Sequence, residues 1–143
     1  MSAVLAPQPP KPIVFHRKQT ASTSALATRL AKEIRGDVLF DAASRGRYST
    51  DASIYQITPT GVVVPRDQAD VLCALDVARD LGAAVLARGA GTSQCGQTVG
   101  EALVIDNSKW LCNVIDFDLE ARTVTVEPGV VLDHLNAWLK PHG

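Results

Sequence analysis

One glycine-rich stretch of this chain, Arg88 to Gln97 (RGAGTSQCGQ), carries the residue types best suited to binding chemistry. Its three glycines can take left-handed backbone conformations and let a ligand approach the main chain closely. Successive N–H groups in such a loop can converge on an anion, and the hydroxyl groups of Thr92 and Ser93 add donors. Arg88 contributes a permanent positive charge. The stretch therefore predicts a cradle for a diphosphate.

The glycine spacing separates this stretch from two common phosphate loops. It reads G-x-G-x-x-x-x-G, whereas dinucleotide-binding folds use G-x-G-x-x-G at the start of a helix. The G-K-[ST] ending of a P-loop does not occur in it either. On these grounds alone, a tight connection between two elements, without a ligand, explains the glycines as well as a cradle does.

Two further groups invite a chemical interpretation but also have a plain structural one. Cys95 lies inside the glycine-rich stretch, where neighbouring N–H groups can activate a thiol, but we interpret it as a small residue that fills the loop. Arg45, Arg47 and Tyr48 either face a cofactor or substrate or form a solvated turn. The residue types are compatible with both interpretations of this group.

The cysteines and histidines do not predict a metal site. Cys73, Cys95 and Cys112 are widely and unequally spaced, and the three histidines lack the spacing of ligands on one helix. We therefore expect no metal within the chain. Three thiols are also too few for a secreted disulfide framework, so we expect reduced cysteines and a cytoplasmic location.

Composition narrows the class of protein further. The chain has 143 residues, of which 46% are apolar and 20% charged, as expected for one globular domain with a substantial core. Its net charge of −1 argues against nucleic acid or an anionic membrane as the main partner. No apolar run approaches the roughly 18 to 20 residues that span a bilayer, so we expect a soluble chain.

The glycine-rich stretch follows a predicted strand–helix–strand unit. Val62–Val64 and Ala84–Ala87 have the continuous apolar pattern of buried strands, and Asp67 can cap a helix that ends near Gly82. The apolar positions of that helix are Val71, Leu72, Leu75, Val77, Ala78 and Leu81. Such a crossover makes its two strands parallel, and ligands of open α/β sheets bind beyond the carboxyl ends of the strands. The stretch leaves the second strand at that end.

The rest of the chain predicts an α+β fold. Residues 1–21 have the prolines of a flexible tail, and a helix begins at Ser22 or Ser24 and ends at Gly36. A short apolar run, Val38–Phe40, precedes a polar stretch, Asp41 to Ser53. The second half adds a largely antiparallel part with a final helix; its strands are Ala102–Asp106, Asn113–Phe117 and Thr123–Glu127, and its helix is Asp133–Leu139.

Several segments together resemble a known family of flavoproteins. In chain order these segments are Tyr48–Ser53, Gly61–Pro65, Arg88–Gln97, Leu103–Asp106 and Val126–Val130. They resemble the FAD domain shared by p-cresol methylhydroxylase and vanillyl-alcohol oxidase, and most of all the FAD-linked 2-hydroxyacid dehydrogenases of the D-lactate, glycolate and D-2-hydroxyglutarate types. The resemblance spans roughly residues 36–143 and implies an FAD-binding type-2 fold, with a small parallel βαβ subdomain before the start of an antiparallel one.

The resemblance also implies which residues hold the cofactor. The residues that wrap the FAD pyrophosphate would be Arg88, Gly89, Ala90, Gly91, Thr92, Ser93, Gly96 and Gln97. The turn at Pro128 and Gly129 would lie against the adenine side of the nucleotide. Some relatives have a histidine, covalently bonded to the flavin, where this chain has Thr92, so the resemblance implies FAD held without a covalent bond.

By this resemblance the chain is a portion of a larger enzyme. Family FAD domains continue beyond Gly143, so we expect residues 22–143 to be the N-terminal part of an incomplete domain, inactive alone and without catalytic residues. The long members of the family also carry an iron–sulfur region downstream.

The function implied is oxidation of a small 2-hydroxy acid by hydride transfer to FAD, with the electrons passing to an unidentified acceptor. Two alternatives stay open: an NADPH- and FAD-dependent sugar-nucleotide reductase on the same fold, and a non-catalytic nucleotide- or anion-binding module.

Overall fold

The computed structural model of the chain describes residues 23–142. The predicted tail and the predicted helix cap at Ser22 lie outside these residues. The helices are α1 (Thr23–Glu33), α2 (Ala42–Arg47), α3 (Gln68–Asp80) and α4 (Leu132–Leu139), followed by a 3₁₀ turn at Lys140–His142. The strands are β1 (Asp37–Leu39), β2 (Gly61–Val64), β3 (Val85–Arg88), β4 (Leu103–Asp106), β5 (Val114–Asp118) and β6 (Thr123–Val126). This mixture of helices and strands confirms the predicted α+β class.

The larger sheet has the strand order β1-β2-β4-β3. Strands β2, β4 and β3 are parallel, whereas β1 pairs antiparallel with β2. The crossover through α3 therefore joins parallel strands, as predicted, but β4 lies between them. Ala102–Asp106 was predicted as a strand of the antiparallel part, and this prediction was wrong, because β4 is parallel to both of its neighbours. Every residue of β4 is buried, and a strand that is apolar on both faces belongs in the centre of a covered sheet.

The larger of two buried clusters lies on one face of this sheet, beneath α1 and α3. Leu26 and Leu30 of α1, with Ile34 directly after it, meet a stripe of α3 formed by Ala74, Val77 and Ala78. Together they cover Val63, Leu103 and Ile105 of the sheet. The cap of α3 is as predicted, because the Asp67 carboxylate accepts a hydrogen bond from Asp70 N–H at 3.0 Å. Leu72 and Leu75 are exposed and contribute little to the core, since α3 presents its smaller side chains to α1 and the sheet.

Strand β3 differs from the prediction in its burial. Ala84–Ala87 was expected to be a buried strand, but the side chains of β3 alternate between exposed and half-buried, and Val85 is 38% exposed. The cause is the position of β3 at the edge of the sheet, where it pairs with β4 on one side and with no other described strand.

Helix α2 was missed in the polar stretch that precedes β2. Asp41 caps this short helix, because its carboxylate accepts the N–H of Ser44 at 2.8 Å. Strands β5 and β6 form a separate antiparallel hairpin with an irregularity between Val114 and Asp116. None of the helices between residues 23 and 142 is long and apolar enough to cross a bilayer.

Gly36 tests how closely the turn after α1 packs against β2. A Cβ atom added there would lie 2.2 Å from the Val64 carbonyl oxygen, so we expect Gly36→Ala to lower the free energy of unfolding by about 1–3 kcal/mol. Gly46→Ala is the matched control: nothing lies within 4 Å of its added Cβ, and alanine favours α2 by up to about 1 kcal/mol. Urea unfolding measures both, and equal effects would contradict the predicted close approach.

Candidate functional site

The glycine-rich loop, residues 89–100, leaves the carboxyl end of β3, as predicted, and leads to the amino end of the parallel strand β4. Two of its glycines require their residue type, because Gly91 has φ 69° and Gly96 has φ 76°. These angles lie in the left-handed region that side chains disfavour. The loop therefore has two turns, at Gly91 and at Gly96, whose backbone conformation favours glycine.

Backbone donors in the first part of the loop are available to a ligand. Among the described residues, the N–H groups of residues 89–94 have no hydrogen-bond acceptor, whereas those of Cys95 and Gln97 donate to the Ser93 hydroxyl oxygen, both at 3.3 Å. The Ser93 hydroxyl is also hydrogen-bonded to the side chain of Gln97. A series of unpaired N–H donors on a partly exposed loop suits an anion with several oxygen atoms.

Arg88 brings its positive charge to the same loop. A Cβ atom added to Gly91 would lie 2.4 Å from the guanidinium Nη2, so this glycine leaves the space that the arginine fills. Nη1 donates a hydrogen bond to the Thr98 carbonyl oxygen at 3.2 Å, and Cζ lies 5.2 Å from the centre of the Tyr48 ring. The guanidinium thus contacts two separate parts of the loop, at Gly91 and at Thr98.

Tyr48 connects the loop to a buried carboxylate. Its hydroxyl donates to Asp106 Oδ2 at 2.6 Å, and Asp106 Oδ1 accepts the N–H of Ser108 at 2.9 Å. Asp106 is 6% exposed. Desolvation, followed by the bond to Asp106, raises the pKa of Tyr48 to about 12. The phenol is therefore protonated at neutral pH and keeps this donor.

The segment after Tyr48 holds the other side of the loop. Ala52 N–H donates to the Gly91 carbonyl oxygen at 3.1 Å, and the Thr98 hydroxyl donates to Asp51 Oδ2 at 2.9 Å. Asp51 Oδ1 accepts the N–H of Ser53 at 2.8 Å, which closes a local turn. Reasoning from single residue types missed these contacts; the one local signal was the turn-forming Asp-Ala-Ser triplet.

The turn at Pro128 and Gly129 lies near the end of β4. Gly129 N–H donates to the Leu111 carbonyl oxygen at 2.8 Å, and a Cβ atom at Gly129 would lie 2.2 Å from the Asn107 carbonyl oxygen. Asn107 N–H in turn donates to the Arg88 carbonyl oxygen at 2.9 Å. Asn107 therefore lies between the two regions that the sequence analysis assigned to one nucleotide.

The side chain of Asn107 leaves one polar atom without a partner. Its Oδ1 is buried and accepts no hydrogen bond from the described residues. The residue also lines a cavity of about 310 Å³, together with Gln68, Val71, Leu111, Ile115, Val126, Glu127 and Pro128. A buried acceptor without a donor is costly, so this position favours a group that donates a hydrogen bond.

The remaining candidates do not join the loop as a group. Arg45 Nε donates to the Pro59 carbonyl oxygen at 2.8 Å and Arg47 Nη2 to the Ser44 hydroxyl at 3.4 Å, so of these three residues Tyr48 alone reaches Arg88. Cys95 is an exposed free thiol on the loop. Between residues 23 and 142, no three histidine, cysteine, aspartate or glutamate side chains come together as metal ligands.

Comparison with known proteins identifies relatives by sequence. The model of a family described as an FAD binding domain matches residues 59–143. D-2-hydroxyglutarate dehydrogenase from Pantoea ananatis is 39% identical over 121 residues, which cover 82% of this chain and 12% of that protein. Glycolate oxidase subunit GlcD from Bacillus subtilis is 33% identical over 110 residues, 73% of this chain and 23% of that protein. The chain spans a small part of the curated relatives that it matches.

Solved structures share the fold. A Physcomitrella patens BBE-like 1 variant superimposes with a TM-score of 0.68 at 21% identity, over 83% of this chain and 26% of that one. p-Cresol methylhydroxylase with substrate bound gives a TM-score of 0.59 at 14% identity, over 83% of this chain and 24% of that one. These likenesses confirm the type of fold that the five sequence segments implied.

Asp51 makes the stability of the loop region depend on acid. Hydrogen bonds from Ser53, and then from the Thr98 hydroxyl, outweigh desolvation and lower the pKa of Asp51 to about 2. Because an unfolded aspartate titrates near pH ~3.9, ionised Asp51 stabilises the fold above about pH 4, and this contribution is lost as the pH falls toward 2. We expect Asp51→Asn to lower the thermal midpoint at neutral pH and to flatten its decline between about pH 4 and 2.

Thr98→Val removes one of the donors to Asp51 and keeps the carboxyl, so its curve of thermal midpoint against pH should lie between those of Asp51→Asn and the unaltered chain. A curve for Asp51→Asn that runs parallel to that of the unaltered chain over the whole range would contradict the lowered pKa.

Proposed function

Since this chain belongs to the FAD binding domain family, we propose that it binds FAD through the glycine-rich loop and forms part of an oxidoreductase for small 2-hydroxy acids. The observation that carries the proposal is the combination, on one loop, of unpaired N–H donors in residues 89–94 with the guanidinium of Arg88 beside Gly91. We further propose that residues 22–143 form one part of an FAD-binding domain.

The loop matches the chemistry of a diphosphate. Two phosphates carry two negative charges and several acceptor oxygens, and the loop provides a fixed positive charge with N–H and hydroxyl donors. Gly91 and Gly96 keep the backbone turned where a side chain would strain it. The residues that we propose as the pyrophosphate site are Arg88, Gly89, Ala90, Gly91, Thr92, Ser93, Gly96 and Gln97.

The neighbouring turn provides a place for the rest of the nucleotide. We place the adenine side of FAD against Pro128 and Gly129, because Asn107 connects that turn with Arg88. The unpartnered Oδ1 of Asn107 supports this placement, since it is an acceptor beside the turn that has no donor of its own. Thr92 follows Gly91 where some relatives have histidine, so FAD is held here without a covalent bond.

The substrate class comes from the names of the relatives. D-2-hydroxyglutarate dehydrogenase, glycolate oxidase subunit GlcD and a mitochondrial D-lactate dehydrogenase are all named for 2-hydroxy acids. When bound, FAD supplies the acceptor for a hydride from the substrate carbon, while the protein holds the cofactor in place. The described residues contribute binding and orientation, and we assign none of them a catalytic role.

Gly91→Val tests the pyrophosphate site. A β-branched side chain is strained at φ 69° and would displace the Arg88 guanidinium, so we expect the protein, expressed from its complete reading frame, to fold but to lose FAD. Gly82→Val is the matched control, because Gly82 also has a left-handed φ of 63° but lies after α3 with nothing within 4 Å of its added Cβ. Flavin absorbance per polypeptide measures both. Full FAD occupancy in Gly91→Val would refute the assignment.

Substrate reduction of the flavin tests the proposed reaction. We expect D-2-hydroxyglutarate, glycolate or D-lactate to bleach the visible flavin absorbance of the purified protein without oxygen, because hydride transfer reduces the cofactor. Bleaching by NADPH without a response to these acids would favour the sugar-nucleotide reductase. A purified protein that binds ADP but carries no flavin would favour the nucleotide-binding module.

A further inference from the structure

We infer that Tyr48 is a positioning residue that keeps Arg88 free for the cofactor by holding the Asp106 carboxylate away from it. The inference rests on the proposed function and deepens it, because it explains why the one arginine of the pyrophosphate site has its charge available. It comes from the register of β3 and β4 together with the contacts of three side chains.

Arg88 and Asp106 are direct neighbours in the sheet. They are register partners at the carboxyl ends of the parallel strands β3 and β4, so their side chains leave the same face. Opposite charges at such neighbouring positions attract each other across a sheet. An ion pair between Arg88 and Asp106 is therefore the arrangement that the two strands alone would favour.

The structure does not contain that ion pair. Among the described residues, no carboxylate oxygen lies within 4.0 Å of the Arg88 guanidinium, although several other arginines form such pairs. Arg88 instead donates to the neutral carbonyl of Thr98 and lies over the ring of Tyr48. Both contacts orient the guanidinium and leave its charge uncompensated.

Tyr48 contacts both charged groups at once. Its hydroxyl donates a hydrogen bond to Asp106 Oδ2, while the centre of its ring lies 5.2 Å from Arg88 Cζ. The ring packs with Leu39 and Leu86 against the buried valines Val62, Val64 and Val104 on the same face of the sheet. This packing against the sheet restricts the position of the tyrosine ring. Because the other Asp106 oxygen accepts from Ser108 N–H, both oxygens have a donor without Arg88.

Loss of the Tyr48 hydroxyl would release this arrangement. Tyr48→Phe keeps the packed ring but leaves Asp106 Oδ2, a buried charged oxygen, without its donor. A buried carboxylate that has lost a partner gains strongly from a new one, and Arg88 is the nearest cation in register. The guanidinium would then turn from Gly91 toward Asp106, and the loop would lose its positive charge.

The test is a double-variant cycle on FAD affinity, with the protein expressed from its complete reading frame and kept at one ionic strength. We expect Tyr48→Phe to raise the Kd for FAD about tenfold, which is typical for the loss of one charge-assisted contact. Asp106→Asn removes the competing charge; its amide oxygen can still accept from Ser108 N–H, and its NH2 group can donate to the Tyr48 hydroxyl, so the Kd should stay within about threefold of the unaltered protein.

The combined variant Tyr48→Phe/Asp106→Asn separates positioning from a merely structural role. With no carboxylate to attract Arg88, we expect its Kd to return close to that of Asp106→Asn alone. If the tenfold loss persists in this background, or if Tyr48→Phe has no effect by itself, the inference is overturned. Tyr55→Phe removes the same atom seven residues further along the chain, where the hydroxyl bonds to no described residue, and should leave the Kd unchanged.

A parallel titration with inorganic pyrophosphate distinguishes failure of this inference from failure of the proposed function. If the unaltered protein binds pyrophosphate but not FAD, the proposed cofactor is wrong, and the same pattern of variants with pyrophosphate still supports the role of Tyr48. If the protein binds FAD and the variants show no coupling, FAD binding stands and the role of Tyr48 falls. Binding of neither molecule overturns both.

Discussion

A buried carboxylate at the end of the central strand is the constraint on which the candidate site depends. Asp106 closes β4 with 6% of its surface exposed, and such a charge is tolerated only when its oxygens have donors. One donor comes from Tyr48, at the end of α2, and the other from Ser108, in the turn that leaves the sheet. The need to satisfy one acidic group therefore fixes both the segment before β2 and the segment after β4.

The loop takes its shape from these neighbours more than from itself. Residues 89–94 donate no backbone hydrogen bond to any described group, and glycine-rich backbone loses much conformational entropy when it becomes ordered. The Gly91 carbonyl is held by Ala52, and the Thr98 hydroxyl by Asp51. Because these contacts form during folding, the entropy cost of ordering the loop falls on folding, and a ligand meets donors that are already in place.

The sequence was most informative where local rules decide the structure. The parallel crossover followed from the apolar run of β2 and the cap at Asp67, both of which depend on adjacent residues. The position of β4 between β2 and β3 depends instead on which surfaces pair in three dimensions, and no periodicity encodes that. The prediction that β3 is buried failed for the same reason, since an edge strand and a central strand can share one apolar sequence pattern.

The candidate site also combines features that local sequence predicts with features that depend on distant residues. The left-handed turns at Gly91 and Gly96 could be predicted from residue type alone, because that conformation favours glycine, whereas the phosphate-binding role of Arg88 stays a prediction. The partnership of Tyr48 with Asp106 joins residues 58 positions apart, and nothing in either neighbourhood indicates the other. Helix α2, which brings Tyr48 to the sheet, is short and contains Gly46, so its propensity is weak.

The edge position of β3 has a consequence for association between molecules. The strand that leads into the loop pairs on one side with β4, so the backbone groups of Val85 and Ala87 on its other side face outward. A foreign strand could add to such an edge and extend the sheet, which is a common route to aggregation. Two features limit that risk here: β3 has four residues, and it ends in the charged Arg88. A charge at the end of an edge strand disfavours such pairing, so we expect Arg88 to make the addition of a foreign strand to β3 less favourable.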